Sequence, residues 1–200
     1  MFVRFARSAA ASVALLALPS IAVAQHGGGA EPSANVPPQE ATQFDFLVGQ
    51  WDLVVKPTVN TLAARIHGVP KMLGTWKAWR ALDGWGVEDE LRITDAAGNP
   101  RSLNHAVRFY DATAKRWRTS GLDVYRGVFS NSTAEWKAGA MTTMGAGADG
   151  DGKAYVSRAR YTDITPTSFR FSQERSYDSG STWDGTLQID AKRVAAAAPR

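Results

Sequence analysis

From Trp51 onward, apolar and polar residues alternate with a period of two: Trp76 and Ala78 flank Lys77, and Phe169 and Phe171 flank Arg170. Successive side chains of a strand point to opposite faces, so this alternation predicts strands with one buried side. Turn chemistry separates the runs at Asp83-Gly84, Asp95 to Pro100, Asp111 to Lys115, Lys137 to Gly139, Ala148 to Gly152, Asp163 to Thr167 and Asp178 to Gly180. The strands expected between them cover 51–56, 72–82, 86–94, 102–110, 116–126, 131–137, 140–146, 154–162, 168–177 and 183–193. These make about ten strands, in the hairpin spacing of an antiparallel meander. A meander of this size closes on itself, because closure removes exposed edges. The expected fold is therefore an all-β, up-and-down antiparallel barrel.

One helix interrupts the pattern, between the first two strands. Asn60 is a suitable N-cap, Leu62, Ala63, Ile66 and His67 share one side, Gly68 is placed to cap the end and Pro70 follows. Such a helix would lie across a barrel opening, as a lid or as a plug.

The first strand is preceded by Phe44-Asp45-Phe46-Leu47-Val48-Gly49-Gln50-Trp51. Gly49 would let the entering chain pass close beneath a barrel floor, and Trp51 would plug that floor as the first inward residue. A buried aromatic beside a turn glycine in any other β-domain remains the alternative.

The amino terminus follows a different rule. Arg4 and Arg7 precede an apolar stretch from Ala9 to Leu18, and Ala22-Val23-Ala24 is a small-x-small cleavage signal before Gln25. Residues 1–24 are expected to be a secretory signal peptide, too short in its apolar part to span a bilayer, which takes about 20 residues. Residues 25–40, rich in glycine and proline, are expected to be a flexible leader. The barrel domain would cover 41–194, and 195–200 would be a loose tail. With no cysteine to lipidate, periplasmic or secreted localisation is expected. The absence of cysteine also removes disulfides, thiolate metal sites and cysteine nucleophiles. The formal charge of +4 drops to about +2 once Arg4 and Arg7 are set aside, too little for a nucleic-acid footprint.

Taking the more apolar alternate set of each strand as inward assigns the interior. Around Asp83-Gly84, Leu82 would face Val87, Arg80 would face Asp89, Ala78 would face Leu91 and Trp76 would face Ile93. The fourth strand would send Leu103, His105, Val107 and Phe109 inward, and the fifth Trp117, Thr119, Asp123 and Tyr125. Tyr155, Ser157, Ala159 and Tyr161 would follow, then Phe169, Phe171, Gln173, Arg175 and Tyr177. The last strand would give Trp183, Leu187, Ile189, Ala191 and Arg193. Arg158 and Arg160 alternate outward, although a one-residue slip would bring them in. So many interior polar groups fit a water-containing cavity for a polar-headed ligand, because a buried charge is costly unless paired or solvated. Self-satisfied pairs at the rims are the alternative.

The Phe44 to Trp51 opening and the closing Ser176-Tyr177-Asp178-Ser179-Gly180-Ser181-Thr182-Trp183 resemble a family of exported bacterial domains of unknown function with calycin-like barrels, akin to lipocalins, fatty-acid-binding proteins and nitrobindins. The resemblance covers about residues 41–194. It implies that Gly49 and Trp51 form a lipocalin-type strand entry covered by an arginine of the closing strand, for which Arg193 is the candidate and Lys192 the competitor. Nitrobindin-like barrels hold haem through a late histidine, whereas no histidine follows His105 here, so no haem and no other cofactor is expected. The closing motif also matches the Asp-box hairpin of sialidases. A single copy in a short chain reads as turn chemistry, with Asp178 accepting backbone hydrogen bonds and Trp183 packing beneath.

Two functional classes follow. In the first, the barrel binds a small amphipathic molecule, stacked by Trp76, Tyr125, Tyr155 and Phe171, with its anionic head met by Arg80 and Arg175, and Asp89, His105 and Gln173 also at the ligand site. In the second, the lumen is an acid–base enzyme of decarboxylase or isomerase type, in which Arg175, Tyr125 and Asp89 orient and protonate a small aromatic or carboxylate substrate. No spacing marks a nucleophile with its base, Glu88 and Glu90 read as a solvated face, and no metal site is expected. Binding is the favoured reading.

Overall fold

The computed structural model describes residues 35–59, 66–69 and 71–195. The expected signal peptide, most of the leader, all but the first residue of the expected tail and most of the expected Thr61 to His67 helix lie outside the described residues. Ile66 and His67, the described end of that helix, are helical and exposed.

Ten strands form the domain: β1 Gly49–Pro57, β2 Met72–Ala81, β3 Gly86–Asp95, β4 Pro100–Asp111, β5 Arg116–Asp123, β6 Val128–Lys137, β7 Ala140–Ala148, β8 Ala154–Thr162, β9 Ser168–Ser176 and β10 Asp184–Arg193. Each pairs antiparallel with its sequence neighbours, and β10 returns to β1 from Trp51↔Arg193 to Pro57↔Leu187, closing the barrel. Closure leaves no edge for another chain to extend.

The residues before β1 plug one end. They form two 3₁₀ turns, Gln39–Thr42 and Asp45–Leu47, that bury Ala41, Phe44 and Leu47. Phe44 meets Trp117 edge-on at 4.8 Å and Tyr161 at 5.9 Å. Trp51 is fully buried and donates its indole N–H to the Leu47 carbonyl at 2.8 Å. Arg193, not Lys192, covers this floor: its Cζ lies 4.0 Å above the Trp51 ring. Its nitrogens donate to the carbonyls of Val48 at 2.7 Å, Phe46 at 3.2 Å and Pro166 at 2.6 Å. Gly49, with φ of +125°, is required twice over, because a Cβ there would stand 2.3 Å from Arg193 Nη1.

Register corrects part of the expected interior. The β2–β3 connection is a four-residue loop, so Ala81 pairs with Gly86, Arg80 with Val87, Ala78 with Asp89 and Trp76 with Leu91. Leu82, Asp83 and Gly84 all take positive φ, and the strands pair about Asp83-Gly84 themselves, one residue earlier than the expected pairing of Leu82 with Val87 implies. A two-residue slip changes partners but keeps faces. Arg80 therefore does not meet Asp89. It ion-pairs with Asp45 and donates to the Ala41 and Gly84 carbonyls, tying the plug to β2.

In β4 the face itself is reversed. Ala106, Arg108 and Tyr110 are buried, whereas Phe109 is exposed. The more apolar set points outward here because the inner set carries the counter-ion of a buried carboxylate on β3. His105 is consequently turned out, its ring 6.0 Å from that of Trp79 and its Nε2 3.9 Å from Glu88.

Trp51→Ala should destabilise the domain by about 3–5 kcal/mol, the cost of deleting a buried large aromatic. Thermal or chemical denaturation measures it, and a loss below about 1 kcal/mol would mean that the floor does not depend on this ring.

Candidate functional site

Above the plugged floor the lumen opens into a cavity of about 850 Å³. Its base is a buried ion pair: Arg108 donates from Nε to Asp89 Oδ2 at 2.6 Å and from Nη2 to Oδ1 at 3.1 Å. The Trp76 indole N–H completes the Asp89 shell at 2.8 Å, and the Arg108 guanidinium lies 5.2 Å from the Phe44 centroid. Burial alone would lower the guanidinium pKa, but the Asp89 carboxylate overcomes this and raises it. Burial pushes the neighbouring Tyr161 phenol up to about 12, against the opposing pull of Arg108 and with a contribution from Asp89. Both groups thus keep their protons at neutral pH.

The apolar walls come from Leu91 and Ile93 on β3, Phe171 on β9 and Leu187 on β10. A polar band crosses the facing strands. Register places Thr119 opposite Ser132, Ser132 opposite Gly145, Gly145 opposite Ser157 and Ser157 opposite Arg175. All five share the parity of buried Trp117, Ala134, Met141, Tyr161 and Phe171, so the band faces inward. The Oγ1 atoms of Thr119 and Thr143 and the Nε of Arg175 are buried without a hydrogen-bond partner. An unsatisfied buried group of this kind costs about 1–3 kcal/mol.

Arg175 differs from the other inward guanidinium groups. Arg108 is held by Asp89, Arg193 by carbonyls, and Arg126 at the rim lies 3.7 Å from Asp123. Among the described residues no acceptor or carboxylate binds Arg175, whose Cζ is stacked 4.3 Å from the Tyr155 ring. Tyr155 in turn meets Tyr177 edge-on at 6.0 Å, and Lys153 Nζ lies 4.5 Å from the Tyr177 centroid. Tyr155 fits because Gly147 has no side chain: a Cβ there would stand 2.7 Å from the phenol oxygen.

Of the residues expected at the ligand site, Trp76, Asp89, Tyr155, Phe171, Gln173 and Arg175 border one cavity. Arg80 is at the opposite, plugged end, and Tyr125 is not at the wall. β5 stops at Asp123, which leaves Tyr125 half exposed in the turn before β6. His105 borders the cavity only by its place in β4, its ring being outside. Tyr177 is exposed, and Trp183 precedes β10 on the outer surface, where Arg158 Cζ lies 4.0 Å from its ring and Arg158 pairs with Glu174 at 2.8 Å. Arg158 and Arg160 therefore stay outside the lumen. In the closing turn, Asp178 accepts from the Thr182 hydroxyl at 2.6 Å, the Thr182 amide at 2.8 Å and the Ser176 hydroxyl at 2.7 Å. Led by the Thr182 bonds, these contacts hold its carboxyl well below the usual range. Sequence reasoning missed Arg108, which the apolar count sent outward, and Thr143, whose strand of small residues gave no face preference.

No family model matches the chain, and no curated protein matches it. Among solved structures, the one described as "Structure of EF1p2_mFAP2b bound to DFHBI" is 9% identical, the match covering 77% of this chain and 98% of that chain, with a TM-score of 0.38. A likeness that loose says nothing of a ligand here; what the structure bears out of the resemblance drawn from the opening and closing motifs is the ten-stranded antiparallel barrel. Among the described residues no helix is long and apolar enough to cross a membrane, and no group of His, Asp or Glu is arranged to hold a metal.

Replacing Asp89 by Leu should cost about 3–5 kcal/mol, because it leaves Arg108 buried without its counter-ion. The double change Asp89→Leu, Arg108→Met should cost less than Asp89→Leu alone. Denaturation of the three proteins checks this, and a double variant less stable than the single one would show that the charges are not the coupled pair.

Proposed function

We propose that this protein is an exported barrel that binds a small amphipathic molecule in its lumen and receives an anionic head at Arg175. The observation that carries the reading is the unpaired state of that guanidinium. A cation turned into a cavity with an aromatic ring on one face, and bound to no carboxylate among the described residues although Asp184 stands opposite it in the β9–β10 register, is poised for an acceptor from outside. The apolar body of the ligand would lie against Leu91, Ile93, Phe171 and Leu187. Arg80, engaged at the floor, has no part in this.

The enzymatic alternative needs a lumen group that exchanges a proton near neutral pH. Tyr161 holds its proton to about pH 12, and Asp89 is committed to Arg108 and Trp76. These assignments favour binding over catalysis. Export rests on the charged, apolar and small-x-small segments of residues 1–24, and protein recovered from outside the cytoplasm should begin at Gln25 on amino-terminal sequencing. Recovery with Met1 intact would count against export.

Arg175→Gln should weaken 2-naphthoate by about 1.5–3 kcal/mol while barely changing 2-naphthamide. Fluorescence titration reads both. Equal losses would mean that the substitution harms the barrel, and failure of the wild-type protein to bind 2-naphthoate would exclude aryl carboxylates as its ligands.

A further inference from the structure

The band that contains Arg175 has a second, deeper end. Thr119 and Thr143 are each the first inward residue above a buried floor residue, Trp117 on β5 and Met141 on β7. Arg175 stands three inward positions up β9, after Phe169, Phe171 and Gln173. Two positions along a strand span about 6.6 Å. The cation is thus at the mouth and the two hydroxyls are at the bottom, on strands that face different sides of the same space.

Those hydroxyls have no partner among the described residues, although other side chains find theirs. Ser120 and Thr165, on the outside, bond Asn131 and Ser168 at 2.8 Å. Valine would have the shape of either threonine without the unsatisfied oxygen, and would make a more stable empty barrel. Two such costs at one depth of one cavity have a common explanation if the occupant supplies the missing hydrogen bonds. A threonine hydroxyl turned about χ1 into the lumen both donates and accepts, which suits a ligand hydroxyl.

We infer that Thr119 and Thr143 are specificity-determining residues for an oxygenated ligand: an elongated, flat carboxylate that carries a hydroxyl at the end remote from its acid group. The carboxylate sits at Arg175, the apolar middle lies against Phe171 and Leu187, and the distal hydroxyl reaches down to the two threonines. This rests on the lumen-binding reading and adds a second recognition point to it. A site with buried polar groups discriminates strongly against an analogue that leaves them unpaired.

The pair 6-hydroxy-2-naphthoate and 2-naphthoate tests this, with acid and hydroxyl at opposite ends of one fluorescent body. Wild type should bind the hydroxylated probe about tenfold more tightly, the size of one hydrogen bond to a buried partner. Thr119→Val or Thr143→Val should reduce that preference while leaving 2-naphthoate affinity unchanged, and the melting temperature of each empty variant should hold or rise. Equal wild-type affinity for the two probes overturns the inference and leaves the carboxylate reading standing. A preference that survives both substitutions, or a fall of several degrees in melting temperature, overturns it as well. If neither probe binds, the carboxylate reading fails and takes this one with it.

Discussion

One guanidinium ties the floor of the barrel together. Arg193 is the last residue of β10, yet its donors go to Val48 and Phe46 before β1 and to Pro166 before β9, and its face covers Trp51. Three pieces of chain distant in sequence, residues 46–51, Pro166 and the end of β10, are brought to one point. A planar group with five N–H donors and an apolar face can do this, whereas an ammonium cannot stack and bond in a fixed fork together. The requirement for Gly49 follows from it, because the space a side chain would take is occupied by the guanidinium.

With the floor fixed, the two ends of the barrel carry different chemistry. The plugged end is nearly all aromatic: Phe44, Trp51, Trp117, Tyr161 and Phe169 pack edge to face. The edge-to-face contacts among them are directional. The open end holds hydroxyls, glycines and an edge-on tyrosine pair, and leaves polar atoms unpartnered among the described residues. Between them, Asp89 and Arg108 form a charged layer, satisfied by one another and by Trp76. That layer separates a region of close aromatic packing from one lined by polar side chains around a cavity.

Alternation made the fold legible because most inward sets really are the more apolar ones. On β1, β9 and β10, the pairs Leu53 and Val55, Phe169 and Phe171, and Ile189 and Ala191 left no ambiguity about the face. It misled on β4, where a buried arginine shares a face with Ala106 while Leu103, Val107 and Phe109 lie outside. Hydropathy counts a guanidinium as exposed and has no knowledge of the carboxylate waiting across the sheet. The β2–β3 pairing was misplaced for a different reason: the expected partners centre the turn one residue past Asp83-Gly84, whereas the strands pair about those two residues themselves. Of the site, Arg175, Tyr155, Gln173 and Phe171 could be read from strand parity. That Arg175 lacks a partner and that Thr143 sits beneath it depend on register across β5 to β9, which pattern alone does not determine.

The contacts of Arg193 reach back 145 and 147 residues, to carbonyls that precede the first strand. The segment that seals the barrel is therefore made first and locked last. A chain emerging amino terminus first, from a ribosome or through a channel, can pair its hairpins one after another as they appear, but its floor has no arginine until β10 is out. Native order in the aromatic plug must wait for nearly the whole polypeptide.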